Sequence, residues 1–309
     1  MVLTVKGLST KYHTSKGDVY AVDDVNFDLK NGESLGIAGE SACGKSTLGL
    51  SIMRMLLGGE AKGDVIFDGD SILDLPESVF TEEFRWKKIS MIFQGAMNSL
   101  DPVFTIKDQF VEILKQHGFA ENFDNVIADA IRSVSLDEIV LKKYPHELSG
   151  GMKQRVVIAM ALLLRPKFVI ADEPTTALDV LIQAQIINLL KKLKKDGMSI
   201  MLITHDLAVL SEIADKIGIM YGGHIVEFGS SQDIYKNPKH PYTQGLLESI
   251  PRLYGDAPKY IKGTPPSLLD APTQCRFIDR CPHAIEKCKT VPPEIKTETG
   301  YVRCWLYDE

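Results

Sequence analysis

The sequence has no apolar run long enough to cross a lipid bilayer. Its longest, Val156 to Leu164, is far shorter than the ~20 residues that a membrane-spanning helix requires. The opening stretch MVLTVKGLST also lacks the long apolar core of a secretory signal peptide. We therefore expect a cytosolic chain that does not itself span a membrane, while docking onto a membrane protein stays open.

An excess of basic residues is missing as well. The 309 residues include 35 lysines and arginines against 41 aspartates and glutamates, for a formal net charge of −6. No basic tract marks a surface for nucleic acid, so DNA and RNA are not expected as partners. With 44% hydrophobic and 25% charged residues, the composition is that of a globular protein with one large domain or two smaller ones.

Cysteine is scarce until the C-terminal end of the chain. Cys43 stands alone, and the other four of the five cysteines follow from residue 275 onward. Their spacing lacks the tight C-x₂₋₄-C pairs that are typical of zinc sites. In a cytosolic protein such a cluster more often binds metal than forms disulfides. The four are Cys275, Cys281, Cys288 and Cys304.

Strand-like and helical patterns alternate over most of the chain. The run SLGIAG ends in Gly39 and precedes the helical pattern KSTLGLSIMRML, which predicts a strand, a loop and a helix. Gly222 and Gly223 predict the turn of a β-hairpin. The alternation favours an α/β fold with parallel strands. Further strands are predicted for YAVDDVNFDL, DVIFDG, ISMIFQ, FVIADE and SIMLITHD, and an amphipathic helix for LDVLIQAQIINLLKKLKKDG.

Two stretches depart from this alternation. Residues 105 to 146 show mostly helical periodicity, so we expect a helical insertion within about 100–160. Near residue 237 the chain becomes rich in proline and loses its regular periodicity. The sequence therefore predicts one large domain over residues 1–236 and a small irregular C-terminal module over residues 237–309.

A phosphate-binding loop is the strongest local motif. GESACGKS, Gly39 to Ser46, matches G-x-x-x-x-G-K-[ST] between a predicted strand and a predicted helix. Lys45 is expected to reach the β- and γ-phosphates, and Ser46 to ligate Mg²⁺. A glycine-rich turn that binds nothing is the plainer alternative. The predicted ATP contacts of this stretch are Gly39, Ser41, Ala42, Cys43, Gly44, Lys45, Ser46 and Thr47.

Polar residues at the ends of other predicted strands indicate the remaining chemistry. Asp172, at the end of FVIAD, is expected to hold Mg²⁺, and Glu173 to polarise the attacking water. Gln94 can bind Mg²⁺ and the same water. His205 is expected at the γ-phosphate because open α/β sheets bind ligands at the carboxyl ends of their strands. The alternatives are a solvated acidic turn, an ordinary loop glutamine and a structural histidine.

A second stretch has the features of an anion site. ELSGGMKQR, Glu147 to Arg155, places a hydroxyl and two glycines directly before the apolar helical run VVIAMALLL. The start of such a helix offers backbone donors and the positive end of the helix dipole. A helix with an ordinary N-terminal cap is the alternative.

In their order along the chain, these motifs resemble the nucleotide-binding subunit of an ABC transporter, over about residues 1 to 235. The resemblance implies an α/β fold with a P-loop NTPase core, an antiparallel β subdomain, a helical insertion and, here, the C-terminal module. The matching motifs are the phosphate loop at 39–47, Gln94, the signature Leu148 to Met152, Asp172 with Glu173, TALD with Asp179, and His205.

The resemblance also implies why the chain has two phosphate sites. In this family two ATPase subunits pair head to tail, and the signature of one covers the ATP held by the other. Ser149, Gly150, Gly151 and Asp179 would then contact ATP in the partner subunit, which is identical or paralogous. An aromatic residue stacks on adenine in the family, and Tyr12 falls at that place. Tyr20 is the rival, and a core role for either stays open.

Within the family the chain resembles the branch of dipeptide and oligopeptide importers. This implies an ATPase on the cytoplasmic face of the membrane, bound to two integral permease subunits and served indirectly by a solute-binding protein. Peptides or oligosaccharides stay open as the solute. One departure is FQGAMNSLDP, which puts the permease contact in question. The stretches that carry the resemblance are YPHELSGGMKQR (144–155), NPKHPYTQGLLESIPRL (237–253) and KGTPPSLLDAPTQCRFIDRCPHAIEKC (262–288).

In that branch the four-cysteine cluster can hold a [4Fe–4S] centre, and four thiolates suit one. Zinc, disulfides or free thiols stay open as alternatives. Two other functions also stay open. One is a soluble ATP-dependent clamp, although the chain lacks the long coiled-coil or tandem insertions of such proteins. The other is a redox sensor in which the cysteines gate the ATPase.

Overall fold

A computed structural model describes residues 1–119, 122–176, 178–250 and 260–308 of the chain. Short 3₁₀ turns lie at Ala96–Ser99, Glu138–Lys142, Pro145–Glu147, Ile278–Arg280, Glu286–Lys289 and Trp305–Tyr307, and a π-helical turn lies at Phe80–Phe84. The strands are β1 (Leu3–Thr14), β2 (Gly17–Leu29), β3 (Ser34–Ala38), β4 (Gly59–Phe67), β5 (Asp70–Ser71), β6 (Ile89–Ile92), β7 (Phe168–Asp172), β8 (Ser199–Ile203), β9 (Lys216–Tyr221), β10 (His224–Ser230), β11 (Ile295–Lys296) and β12 (Tyr301–Val302). The α-helices are α1 (Lys45–Ile52), α2 (Glu77–Val79), α3 (Ile106–Gln116), α4 (Phe123–Ser133), α5 (Gly150–Leu162), α6 (Val180–Lys195), α7 (Leu207–Ile213), α8 (Ser231–Lys236) and α9 (Pro241–Glu248).

The chain divides into two compact units. The first combines Met1–Asp74 with Met201–Glu309, and the second is Leu75–Ile200. The first unit therefore contains both the N-terminal and the C-terminal parts of the chain. The end of the stretch NPKHPYTQGLLESIPRL, from residue 251, lies outside the described residues, as does the whole range 251–259.

An antiparallel sheet of β2, β1, β4 and β5 forms one part of the first unit. Strand β1 pairs with β2 from Leu3 opposite Leu29 to Thr14 opposite Gly17. Buried residues alternate with more exposed ones along β1, and Leu3 is fully buried. Alternation of this kind gives a sheet with one face on the core. The antiparallel β subdomain predicted from the sequence is present.

Strand β3 lies in a second sheet of the first unit. It pairs in parallel with β9, from Leu35 opposite Lys216 to Ala38 opposite Ile219. All five residues of β3 are buried, as expected for a strand that is covered on both faces. Strand β9 continues into β10 through the turn at Gly222 and Gly223, so the predicted hairpin is confirmed. Both turn glycines have positive φ, 57° and 88°.

The C-terminal residues pack onto this second sheet. Strand β12 pairs with β10, with Val302 opposite Glu227. The side chain of Arg303 donates hydrogen bonds to Asp24 Oδ2 at 2.7 Å and to Glu294 Oε1 at 2.7 Å. Because Asp24 belongs to β2 and Arg303 follows β12, this ion pair joins the C-terminal end of the chain to the antiparallel sheet.

The second unit combines two parallel strands with helices. Strands β6 and β7 pair in parallel, from Ile89 opposite Phe168 to Ile92 opposite Ala171. Helices α3 and α4 lie in the stretch for which the sequence predicts helices. Helix α5 is largely buried, and Trp86 Nε1 donates to Met160 O at 2.8 Å. Over the part of the chain that the structure describes, no helix combines the length and the apolar character that a membrane span requires.

Helix α3 begins with a reciprocal cap. Thr105 Oγ1 accepts a hydrogen bond from Asp108 N at 3.2 Å, and Asp108 Oδ2 accepts one from Thr105 N at 3.3 Å. We expect Thr105→Ala to lower the free energy of unfolding by about 1 kcal/mol, because the amide of Asp108 loses the hydroxyl that accepts its hydrogen bond. Chemical denaturation measures the change. Thr105→Ser keeps the hydroxyl and should retain most of the stability; equal losses in both variants would contradict a role for the cap.

Candidate active site

The predicted phosphate loop connects buried strand β3 to helix α1, and two of its glycines are sterically required. Gly44 has a φ of 106°, and a Cβ on it would lie 2.0 Å from Ala21 O. A Cβ on Gly39 would lie 2.1 Å from Met220 O. No side chain fits at either position. The loop can therefore follow this tight path only with glycine at both ends.

Lys45 is buried within the same loop. Its Nζ donates to Gly39 O and to Glu40 O, both at 2.8 Å. These carbonyls satisfy the charge, which would be costly to bury without partners. The ammonium group is thus held against the loop itself, where a phosphate oxygen can become an additional acceptor.

The other predicted loop residues differ in exposure. Ser41 and Ala42 are exposed, whereas Cys43 is buried, and burial raises the pKa of its thiol. The side chain of Cys43 therefore packs inside the loop. Ser46 and Thr47 lie in the first turn of α1, where backbone N–H groups lack intrahelical acceptors and the helix dipole favours an anion.

The two candidate tyrosines for adenine lie in different surroundings. The ring of Tyr12 packs against Gly59, where a Cβ would lie 2.7 Å from Tyr12 Cε1. Tyr20 lines a cavity of about 180 Å³ together with Ser9 and Glu60. Stacking of Tyr12 on adenine stays a prediction.

His205 lies two residues after the end of β8 and is exposed. The residues on either side of it are anchored. Thr204 N donates to Ile37 O of β3 at 3.1 Å, and Asp206 Oδ1 accepts from Ala208 N at 2.8 Å at the start of α7. A fixed backbone therefore presents the imidazole at the carboxyl end of a strand, as the sequence predicts.

In the second unit, the two predicted carboxylates lie at the end of β7. Asp172 is the last residue of this buried strand and is itself buried. Glu173 has a positive φ of 46° and is less buried. Side chains alternate along a strand, but the left-handed backbone at Glu173 breaks that alternation. The two carboxylates thus follow each other with different exposure to water.

The carboxylate of Glu173 is oriented by two hydrogen bonds. Gln94 Nε2 donates to Glu173 Oε2 at 3.1 Å, and Thr176 Oγ1 donates to the same oxygen at 2.8 Å. The structure therefore brings together Gln94 and Glu173, which the sequence places 79 positions apart. A carboxylate fixed in this way can accept a proton from a water molecule without first reorganising.

The predicted signature forms the start of helix α5. Ser149 is the N-cap, and its Oγ accepts from Met152 N at 3.3 Å. Ser149 and Gly150 are exposed, whereas Gly151 is buried. A Cβ on Gly151 would lie 2.9 Å from Ile182 of helix α6, so glycine permits the two helices to approach closely. The exposed helix start offers unpaired amides and a positive dipole end, which suit an anion.

Asp179 of the predicted TALD motif is the N-cap of α6. Its Oδ1 accepts from Ile182 N at 2.9 Å, and the residue is exposed. The carboxylate therefore fixes the first turn of α6 within its own chain. Ala177 of the same motif lies outside the described residues.

The four C-terminal cysteines lie close enough to affect one another. Cys275 N donates to Cys288 O at 2.9 Å. Burial, together with smaller contributions from the charges of the other three cysteines, raises the pKa of Cys275 to about 12. Burial also raises the pKa of Cys281 and of Cys304. However, among the described residues no three cysteine, histidine or acidic side chains are arranged to hold a metal ion, so this arrangement does not support the predicted metal centre.

Comparison with known proteins agrees with this geometry. Residues 22–176 match the family described as ABC transporter, and residues 226–288 match the oligopeptide/dipeptide transporter C-terminal region. The chain belongs to the ABC transporter family. It is accordingly an ATP-binding ATPase, and the fold class predicted from the sequence is confirmed.

Relatives of this ABC chain match it over almost its whole length. It is 46% identical to the oligopeptide transport ATP-binding protein OppD of Escherichia coli (strain K12), over 98% of this chain and 92% of the relative. It is 43% identical to the dipeptide transport ATP-binding protein DppD of Bacillus subtilis (strain 168), over 100% of this chain and 95% of the relative. A dimeric post-hydrolysis structure of the ATP-binding cassette MJ0796 with ADP and Pi is 28% identical, with a TM-score of 0.66 over 74% of this chain and 98% of that one.

Two contacts of candidate site residues lie outside the motif-based prediction. Thr176 adds a hydroxyl donor to Glu173, which the motif-based prediction did not include. Arg280 of the C-terminal module forms an ion pair with Glu40, a variable position within the phosphate loop. The Arg280 contact depends on tertiary structure, whereas the hydroxyl of Thr176, three residues after Glu173, is a local signal that the sequence contains.

The steric requirement at Gly44 gives a direct test of the phosphate loop. We expect Gly44→Ala to weaken binding of a fluorescent ATP analogue by more than about tenfold, because the loop must move away from Ala21 O. Gly69→Ala is the matched control: Gly69 also has a positive φ, 98°, but no described atom lies within 4 Å of its added Cβ. The control should lose stability, by about 1–2 kcal/mol, without losing affinity. Equal affinities of Gly44→Ala and the wild type would refute the assignment.

Proposed function

We propose that this ABC chain is the ATP-hydrolysing subunit that energises an importer of dipeptides, oligopeptides or related oligomeric solutes. One observation carries the proposal: full-length similarity to proteins named for oligopeptide and dipeptide transport, which includes the match of residues 226–288 to the C-terminal region of such transporters. The C-terminal match matters most, because the ATPase core alone is shared by ABC proteins of many functions.

The nucleotide contacts follow the sequence motifs. Lys45 would bind the β- and γ-phosphates, the loop amides would surround them, and Tyr12 would stack on adenine. The candidate Mg²⁺ ligands are the hydroxyl of Ser46, the carboxylate of Asp172 and the amide oxygen of Gln94. All three donors are oxygens, which Mg²⁺ prefers. The remaining proposed contacts are Gly39, Ser41, Ala42, Cys43, Gly44 and Thr47.

Glu173 would act as the general base of hydrolysis. Its carboxylate, held by Gln94 and Thr176, accepts a proton from the water that attacks the γ-phosphate. His205 would contact the γ-phosphate from its anchored position after β8. In this scheme Gln94 has two roles, because it orients Glu173 and also ligates the metal.

A second ATPase subunit would complete each nucleotide site. Ser149, Gly150 and Gly151 at the start of α5 would receive the γ-phosphate of ATP held by the partner, and Asp179 would lie at the same interface. The hydroxyl of Ser149 accepts a bond from Met152 N and can still donate its own proton to a phosphate oxygen. Hydrolysis would remove this contact and let the pair open.

The complete importer would contain two integral permease subunits and would work with a solute-binding protein. The chain would then lie at the cytoplasmic face of the membrane, and its partner ATPase would be identical or paralogous. Uptake of labelled peptides and of labelled oligosaccharides by cells with and without this chain would separate the two solute classes. Loss of oligosaccharide uptake alone would contradict the peptide assignment.

Replacement of Glu173 tests the catalytic role. We expect Glu173→Gln to reduce ATP turnover of the purified complex by at least about a hundredfold, because the amide cannot accept the proton. Binding of ATP should persist. Glu138→Gln is the matched control, since Glu138 is an exposed carboxylate of the same unit that pairs with Arg132. Unchanged turnover in Glu173→Gln would remove this residue from the mechanism.

We further infer that Cys275, Cys281, Cys288 and Cys304 hold a [4Fe–4S] cluster, with zinc as the alternative. The number of thiols and the hydrogen bond from Cys275 N to Cys288 O support the proposal, although the arrangement of the side chains described above does not. When bound, the cluster would cross-link a small module that has little regular structure of its own. The thiols would have to lose their protons, which the raised pKa values of Cys275, Cys281 and Cys304 oppose in the metal-free chain.

Metal analysis tests this inference. Protein purified without oxygen should contain iron and sulfide and show visible absorption that bleaches on reduction. Cys288→Ser should lose the colour and the iron, whereas Cys43→Ser should keep both, because Cys43 lies outside the cluster. Stoichiometric zinc without iron would refute the [4Fe–4S] cluster and support the zinc site. Protein without either metal would refute both.

A further inference from the structure

Arg280 of the C-terminal module is joined to the phosphate loop by a bidentate ion pair. Its Nη1 donates to Glu40 Oε2 at 2.7 Å, and its Nη2 donates to Glu40 Oε1 at 2.9 Å. The two residues are 240 positions apart in the sequence. Glu40 lies directly after Gly39, so this contact reaches the loop at the point where it leaves β3. Two parallel N–H···O bonds of this kind fix both distance and orientation.

The guanidinium group of Arg280 is held on all sides. Its side chain is only 5% exposed. Besides Glu40, it donates from Nε to Lys262 O at 3.0 Å, from Nη1 to the Tyr221 hydroxyl at 3.2 Å and from Nη2 to Ile261 O at 3.3 Å. A charge held by so many partners cannot shift to a new position without losing several of them. Arg280 is therefore a rigid support for Glu40.

The backbone of Glu40 is fixed as well. Its N–H donates to the hydroxyl of Tyr242 at 2.9 Å, and its carbonyl accepts from Lys45 Nζ at 2.8 Å. Tyr242 is fully buried and its ring lies 4.5 Å from that of Tyr221 and 5.4 Å from that of Phe277. Carboxylate, N–H and carbonyl of Glu40 are thus all engaged, and two of these three contacts come from residues beyond position 240.

We propose that Arg280 is a positioning residue for the phosphate loop, through which the C-terminal module sets the affinity for ATP. The inference rests on ATP binding at this loop. Removal of Arg280 leaves the Glu40 carboxylate without its charged partner next to a buried surface, and a charge in that situation moves towards water. Because Lys45 is bonded to the carbonyl of Glu40, the shift would carry the phosphate-binding ammonium with it.

Arg303 provides a matched control within the same module. Its side chain is also 5% exposed and also pairs with carboxylates, but these are Asp24 and Glu294 rather than a residue of the phosphate loop. Both arginines lie next to a cysteine of the C-terminal cluster. Loss of either should destabilise the attachment of the module, whereas only loss of Arg280 should alter the loop.

Equilibrium titration of the full chain with a fluorescent ATP analogue and Mg²⁺ tests the proposal. Arg280→Met should bind about tenfold more weakly than Arg303→Met, because small displacements of a binding group carry large costs. Arg280→Lys keeps the positive charge but loses the two parallel N–H donors of the guanidinium group. Its affinity should therefore lie between those of Arg280→Met and the wild type. In steady state, the loss should appear in KM more than in kcat, since Arg280 does not touch the reacting atoms.

A double-mutant cycle shows whether Arg280 acts through Glu40. Glu40→Gln alone should weaken binding, and in the Arg280→Met background it should add little to the loss. Full additivity, or equal affinities of Arg280→Met and Arg303→Met, would overturn the proposal. If Arg280→Met does not fold, the nucleotide affinities of Arg280→Lys and Glu40→Gln are compared with that of Arg303→Met instead. A wild-type chain that binds no nucleotide would instead refute the proposed function.

Discussion

The narrow space around the phosphate loop is the constraint on which the rest of the structure depends. Carbonyl groups of Ala21 and Met220 approach the backbone at Gly44 and Gly39 so closely that no side chain fits. The loop therefore has one path, set by β2 on one side and by the end of β9 on the other. Catalysis requires phosphate-binding groups that are already in position, and here strands β2 and β9 hold the loop that carries them.

In the second unit, too, the backbone positions of single residues determine where polar groups lie. Helix α5 can begin close to α6 only because Gly151 leaves room for Ile182, and the end of β7 turns through a left-handed residue, Glu173. A close helix contact at the start of α5 and a left-handed backbone at Glu173 each place a polar group where solvent can reach it. Thr176 and Gln94 hold the Glu173 carboxylate in the orientation that this backbone gives it.

Local motifs made most of the fold and the site predictable from sequence. The strand before Gly39, the hairpin at Gly222 and the helix after Ser149 follow from residues within a few positions of one another. Contacts between distant residues were not predictable: nothing near Glu40 indicates Arg280, and nothing near Gln94 fixes its distance to Glu173. The C-terminal cysteines were predictable only in part. Their positions in the sequence showed that they cluster, whereas their arrangement in space depends on how a proline-rich segment folds.

The hydroxyl of Tyr242 and the guanidinium of Arg280 contact Glu40 in the phosphate loop, so residues more than 200 positions later support it. A cassette cut after helix α8 would lose this backing and would open the face of Tyr221 to solvent. During synthesis on the ribosome, these contacts to the loop would form only after Arg280 had emerged. The catalytic core of this protein is in that sense not a module that can be exchanged without its tail.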